Sequence, residues 1–271
     1  MVEAAVAKGA RRRWRSRLVR AVLVVLGLFV AVALAGFGYE LSLPSVANAP
    51  ASVAAIVRAH GGKLGNLPLP TKLAEAEVAV EDEHFYSNVL LNIFDGAARA
   101  ALTALHTSGD PGGSTIAQQL AKQLYPSNSG FADTLEQVGL GLKLSLSYSK
   151  PRILEMYLNA IYYGNSYWGY LDAARGYFGV DPNALNWAEA SMLAGLPQAP
   201  SDYDPVLHFA LAKERQRQVL NQLVANHILT AAQADRVYKT PLPLHRRSSG
   251  DRVLWPAKMP ASQKQVAPTI R

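Results

Sequence analysis

At 271 residues the chain has room for one large domain with an anchor, or for two small ones. Its net charge of +7 is an end effect: residues 1–20 carry +6 and residues 241–271 carry +5, leaving −4 on residues 21–240. The basic balance therefore gives the folded part no nucleic-acid surface, and the lack of cysteine excludes disulfides and thiol chemistry.

In chain order, Arg11, Arg12, Arg13, Arg15, Arg17 and Arg20 make residues 1–20 a basic segment suited to an anionic inner leaflet. Residues 21–39 contain no charge, and a bilayer span needs roughly 20 apolar residues, so they read as a single transmembrane helix. The positive-inside rule puts the N-terminus in the cytoplasm and the rest of the chain outside. A cleaved signal peptide competes, because Ala33-Leu34-Ala35 is a small-x-small site, but the apolar run is long for one. Residues 40–69 hold Pro44, Pro50, Pro68 and Gly61-Gly62 and read as a juxtamembrane connector with little regular structure. Residues 70–240 are patterned for helices almost throughout, with no alternating β-branched run. Within them Asn186 with Glu189 makes a capping box, Gly195 before Pro197 stops that helix, and Pro151 suits a first turn. Residues 241–271, rich in Pro, Ser and basic groups, read as a disordered basic tail.

Two stretches carry chemistry. Glu81-Asp82-Glu83 follows Val78 and Val80, and like charges with partial burial raise a carboxyl pKa toward that of a general base. Taken alone, three acids in a row are as well read as a solvated helix end. Gly112-Gly113-Ser114-Thr115 permits a tight turn, with Ser114 or Thr115 capping the helix that follows. On that helix Thr115, Gln118, Gln119 and Lys122 share one face and Ile116, Leu120 and Leu124 another. A polar helix N-terminus with a lysine suits a phosphate; the plain alternative is an amphipathic surface helix. Ser147-Tyr148-Ser149-Lys150 also satisfies the Ser-x-x-Lys acylation pattern, but no Ser-Asp-Asn or Lys-Thr-Gly follows it.

These two stretches, followed in order by Tyr148-Ser149-Lys150, Ile153 to Asn159, Ala173 to Gly179, Ala188 to Pro200 and Arg215 to Leu220, resemble the signature motifs of the peptidoglycan glycosyltransferases. The resemblance implies an all-α, lysozyme-like two-lobed domain behind a single-pass transmembrane helix. It implies polymerisation of lipid II at the outer face of the bacterial cytoplasmic membrane, with Mg²⁺ or Mn²⁺ as cofactor and other cell-wall synthesis proteins as partners. Glu81 matches the glutamate that deprotonates the acceptor hydroxyl in an inverting displacement of undecaprenyl pyrophosphate. Asp82 matches a supporting position and Phe85 a packing one. Ser114, Thr115, Gln118, Gln119, Lys122, Asn159 and Arg215 match substrate-binding positions, and Tyr163 and Gly164 lie near the same cleft.

Three departures fall on the donor side. Gln137 stands where the family carries a second essential glutamate, Asp133 and Thr134 where it carries an Arg-Lys pair, and Ser87 to Leu90 where it shows Glu-His-x-Gly. Glu136 is adjacent, but one helical step rotates a side chain by about 100°. Only Arg215 and Arg217 flank Gln216, where two adjacent arginines are usual. Two functions are therefore in play: a working glycosyltransferase, or a catalytically degenerate relative that binds lipid II or its synthetic partners. A glycan hydrolase using Glu81 as acid is a third reading, which lacks an evident partner carboxylate.

Overall fold

In the computed structural model, residues 2–87, 115–126 and 131–245 are described. Two compact units divide at Pro44/Ser45. The first is one helix, α1 (Val2–Ser42), which continues through the basic segment without a break. Its stretch Val22–Ser42 is long and apolar enough to cross a membrane. At 1.5 Å per residue those 21 residues span about 31 Å, close to a bilayer's hydrocarbon thickness.

The second unit is helical, and its described residues contain a single isolated bridge, Tyr162 to Trp168, in place of any strand. It begins with α2 (Ala49–Ala59), a helix inside the stretch expected to be irregular. Pro50 sits in its first turn, where a missing N–H costs nothing, and Ala49, Val53 and Val57 form a buried stripe spaced by four residues. Prolines at segment ends had masked that stripe. There follow α3 (Thr71–Glu81), α4 (Ile116–Leu124), α5 (Phe131–Ser147), α6 (Lys150–Ala160), α7 (Tyr170–Phe178), α8 (Trp187–Gly195), α9 (Phe209–Ala225) and α10 (Ala231–Lys239).

Two helices are enclosed on all sides. Ile153 to Ala160 of α6 are all buried, with α2, α4, α5 and α7 packed around them. Ala188 to Gly195 of α8 are likewise buried, among α3, α7, α9 and α10. The all-α, lysozyme-like fold of this unit is thus organised around two buried helices, α6 and α8. The capping box of Asn186 and Glu189 starts α8 as its sequence predicts, and Pro151 sits in the first turn of α6. Between α6 and α7, Gly169 adopts φ +81°, and a Cβ there would lie 2.9 Å from the Asn159 carbonyl oxygen, so only glycine fits. The expected disordered tail begins ordered: the His245 N–H donates to the Tyr177 carbonyl at 2.8 Å. Residues 246–271 lie outside the described residues, as do Gly112, Gly113, Ser114 and the 88–90 departure.

Candidate active site

The last residue of α3 is Glu81, and its side chain is 12% exposed. The amide of Gln119, on α4, donates to one carboxylate oxygen at 2.7 Å, and the Arg215 guanidinium, on α9, donates to the other at 3.4 Å. Burial raises the Glu81 carboxyl above its ordinary value; the Gln119 bond and Arg215 pull it down, and Asp82 pushes it up again. The outcome is a buried carboxyl that is held in place and made more basic than in water, as general-base work requires.

Each partner is itself fixed. The Tyr157 hydroxyl, fully buried on α6, donates to the Gln119 carbonyl oxygen at 2.9 Å, which turns the amide N–H toward Glu81. Arg215 also donates to the Gly195 carbonyl at 3.2 Å and to Gln218 at 3.0 Å. Rather than reaching outward for a substrate phosphate, this arginine lies 8% exposed as the counter-ion of Glu81.

Asp82 links the first two motifs: its carboxylate accepts from the Ile116 N–H at 3.1 Å, at the first turn of α4. Thr115 caps the same helix, accepting from the Gln118 N–H at 3.2 Å, while the Gln118 carbonyl oxygen accepts from the Thr115 N–H at 3.0 Å. The reciprocal pair is a capping box. The helix N-terminus expected to cradle a phosphate therefore already has two of its leading N–H groups occupied, by Asp82 and by Thr115. The Thr-x-x-Gln spacing carried that signal in the sequence. Phe85 is buried, as a packing residue should be, and the Lys150 ammonium stands 4.7 Å over its ring. Burial lowers the Lys150 pKa and the Asp82 charge raises it, which makes Lys150 a half-buried cation beside the first motif.

The remaining predicted residues are spread around this centre. Lys122 is exposed, near the end of α4. Asn159 is 2% exposed and clamps Gly65, accepting from its N–H at 2.8 Å and donating to its carbonyl at 3.0 Å. That is a brace between α6 and the chain entering α3. Gln137 is 6% exposed on α5, and its amide donates to the Tyr125 carbonyl at 3.0 Å, just past the end of α4. Glu136, one step round the helix, is partly exposed.

Two groups escaped the sequence reading. Tyr157 lies inside the Ile153 to Asn159 motif with no site role assigned, and Glu77 falls outside the motifs, although Leu73, Ala76 and Glu77 follow the i, i+3, i+4 spacing of a buried stripe. Glu77 is fully buried and accepts from the Tyr163 hydroxyl at 3.1 Å. No three His, Asp or Glu side chains converge among the described residues, and both Glu81 oxygens are engaged.

A family model described as Transglycosylase matches residues 63–224, which include every described member of this cluster. The chain is 38% identical over 201 residues to penicillin-binding protein 1A of Neisseria gonorrhoeae, covering 73% of this chain and 25% of that protein. It is 34% identical over 268 residues to penicillin-binding protein 2D of Bacillus subtilis, covering 88% and 38%. The crystal structure of penicillin-binding protein 1A from Haemophilus influenzae aligns with 38% of this chain and 15% of its own, at 33% identity and a TM-score of 0.35. The chain thus spans well under half the length of these relatives. With the family model covering the ordered motifs and the cluster around Glu81, the chain belongs to the transglycosylase family, the peptidoglycan glycosyltransferases that its motifs resemble.

Proposed function

We propose that this protein is a membrane-anchored peptidoglycan glycosyltransferase that polymerises lipid II, with Glu81 as general base. The observation that carries the reading is the Glu81 carboxyl, buried at the junction of α3, α4 and α9 and held by Gln119 and Arg215. Glu81 takes the proton from the acceptor sugar hydroxyl as that oxygen attacks the anomeric carbon of the growing chain. The bond to undecaprenyl pyrophosphate breaks, its electrons leave with the pyrophosphate, and the single displacement inverts the anomeric centre. Asp82 steadies the base indirectly by tying the end of α3 to the start of α4. The apolar stretch of α1 anchors the domain in the cytoplasmic membrane, with the basic segment inside and the domain on the outer, periplasmic side.

One observation favours a second reading, a degenerate binding partner of the cell-wall machinery. Gln137 is neutral and engaged with the Tyr125 carbonyl, and no basic residue lies between Gln123 and Leu142. A charge-assisted phosphate contact contributes roughly 1.5–3 kcal/mol, so losing several would slow turnover by orders of magnitude. The test is polymerisation of labelled lipid II by detergent-solubilised protein, with Mg²⁺, Mn²⁺ or a chelator, beside Glu81→Gln. Polymer from wild type and none from the variant is expected. Binding of lipid II without polymer would replace the enzyme with the binding partner, and polymer from both would remove Glu81 as base.

A further inference from the structure

Glu77 lies one helical turn before Glu81 on α3, on the stripe it shares with Leu73 and Ala76. Its side chain is 0% exposed. One oxygen accepts from the Tyr163 hydroxyl; the other is buried with no hydrogen-bond partner. A carboxylate in that position would be a buried charge supported by one phenol, and buried groups so placed take up a proton instead. The mechanism above leaves Glu77 without a task.

We propose that Glu77 and Glu81 act as a carboxyl pair sharing one proton, with Glu77 the positioning residue that holds it so that Glu81 alone bears the negative charge. The proposal rests on Glu81 being the base. Unequal surroundings decide which member is charged: Glu81 has an amide donor at 2.7 Å and a guanidinium, Glu77 only a phenol. The ionisable groups facing Glu77 are Glu81 on its own helix, Tyr163 just beyond α6, and Arg215 from α9. Tyr157 of α6 feels both carboxyls, and Glu189, from the neighbouring α8, caps its own helix. One guanidinium can balance one carboxylate, so a single proton leaves this core neutral. Burial, reinforced by the Glu81 charge, accordingly lifts the Glu77 carboxyl well above the ordinary range. A carboxyl here differs from a leucine in one respect that matters to catalysis. It answers to the charge on Glu81, keeping its proton for as long as Glu81 is ionised.

The experiment uses the full-length protein in detergent. Infrared difference spectra at neutral pH should show a protonated-carboxyl stretch in wild type that is lost in Glu77→Gln. Tyr163→Phe, which removes the phenol donor, should shift that band, so the assignment survives if Glu77→Gln folds poorly. In lipid II polymerisation, Glu77→Gln, which sets a neutral amide where a neutral acid stood, should leave the acid limb of the pH–rate profile where wild type has it. A limb moved to lower pH would show that Glu77 is ionised while Glu81 titrates. Absence of the band in wild type, or an acid limb moved to lower pH in Glu77→Gln, would overturn the proposal. If wild type makes no polymer at any pH, the base reading fails separately, and the infrared band still decides whether Glu77 holds a proton.

Discussion

The two ends of α4 face opposite tasks and are built from opposite materials. At its start, Asp82, Glu81, Gln119 and Arg215 form a charged cluster in which each described group meets a fixed partner. At its far end, where a pyrophosphate-holding carboxylate and cations were expected, Gln137 donates to the Tyr125 carbonyl and the neighbouring α5 side chains are neutral or acidic. A base must be desolvated, so its supports lie in the core and double as packing. At the other end Gln137 is buried too, but it ties α5 to the residue after α4 through a neutral contact that carries no charge.

The sharpest way to break this comparison is at the base. Glu81→Gln should lower lipid II polymerisation by about 10²–10⁴-fold, the usual contribution of a general base; retained turnover would mean that the charged end of α4 is only structural. Next comes its counter-ion. Arg215→Met strands a buried carboxylate, and the single-partner loss should cost about 3 kcal/mol in chemical denaturation while shifting the acid limb of the rate profile upward. An unchanged midpoint would show the pair to be solvated.

At the neutral end, Gln137→Glu sharpens the contrast. It sets a carboxylate against the Tyr125 carbonyl in place of an N–H donor, so it should destabilise by about 1–3 kcal/mol without raising turnover. A gain in rate would instead show the site poised to accept the missing acid. The smallest effect belongs to the capping box: Thr115→Ala should cost about 1 kcal/mol, read as a lower thermal midpoint.

Stability should also depend on pH in a direction set by the two buried acids. Both Glu77 and Glu81 hold protons more tightly folded than at the ordinary value of 4.5. Folding then binds protons, so their contribution is complete below pH 4.5 and is lost as the pH rises through the folded values. Thermal midpoints from pH 4.5 to 7 should fall less steeply in Glu77→Gln than in wild type. Parallel slopes would place the proton elsewhere.

Much of this was legible in the order of residues. Helix-period patterning, the Asn186 cap, the Pro151 start and the uncharged run before Glu40 each depend on a few neighbours in sequence, and each appears as expected. Glu81, Gln119 and Arg215 could be nominated from motif spacing. Their mutual contact could not, because 38 and 134 residues separate the two partners from the base. The same distance hid the true neighbours of Asn159 and Gln137, whose residue types suit a ligand as well as they suit a backbone carbonyl.

By itself the sequence determined an all-helical fold, an apolar N-terminal helix and an acidic cluster at Glu81-Asp82-Glu83. Those properties follow from local periodicity, charge and spacing, which act over a turn or two of helix. Only the tertiary structure decided that Arg215 pairs with Glu81, that Asp82 and Thr115 close the N-terminus of α4, and that Glu77 sits in the core on the helix of Glu81. The physical reason is desolvation. A carboxyl's proton affinity and a cation's availability depend on what surrounds them, and those surroundings are assembled from helices far apart in the chain.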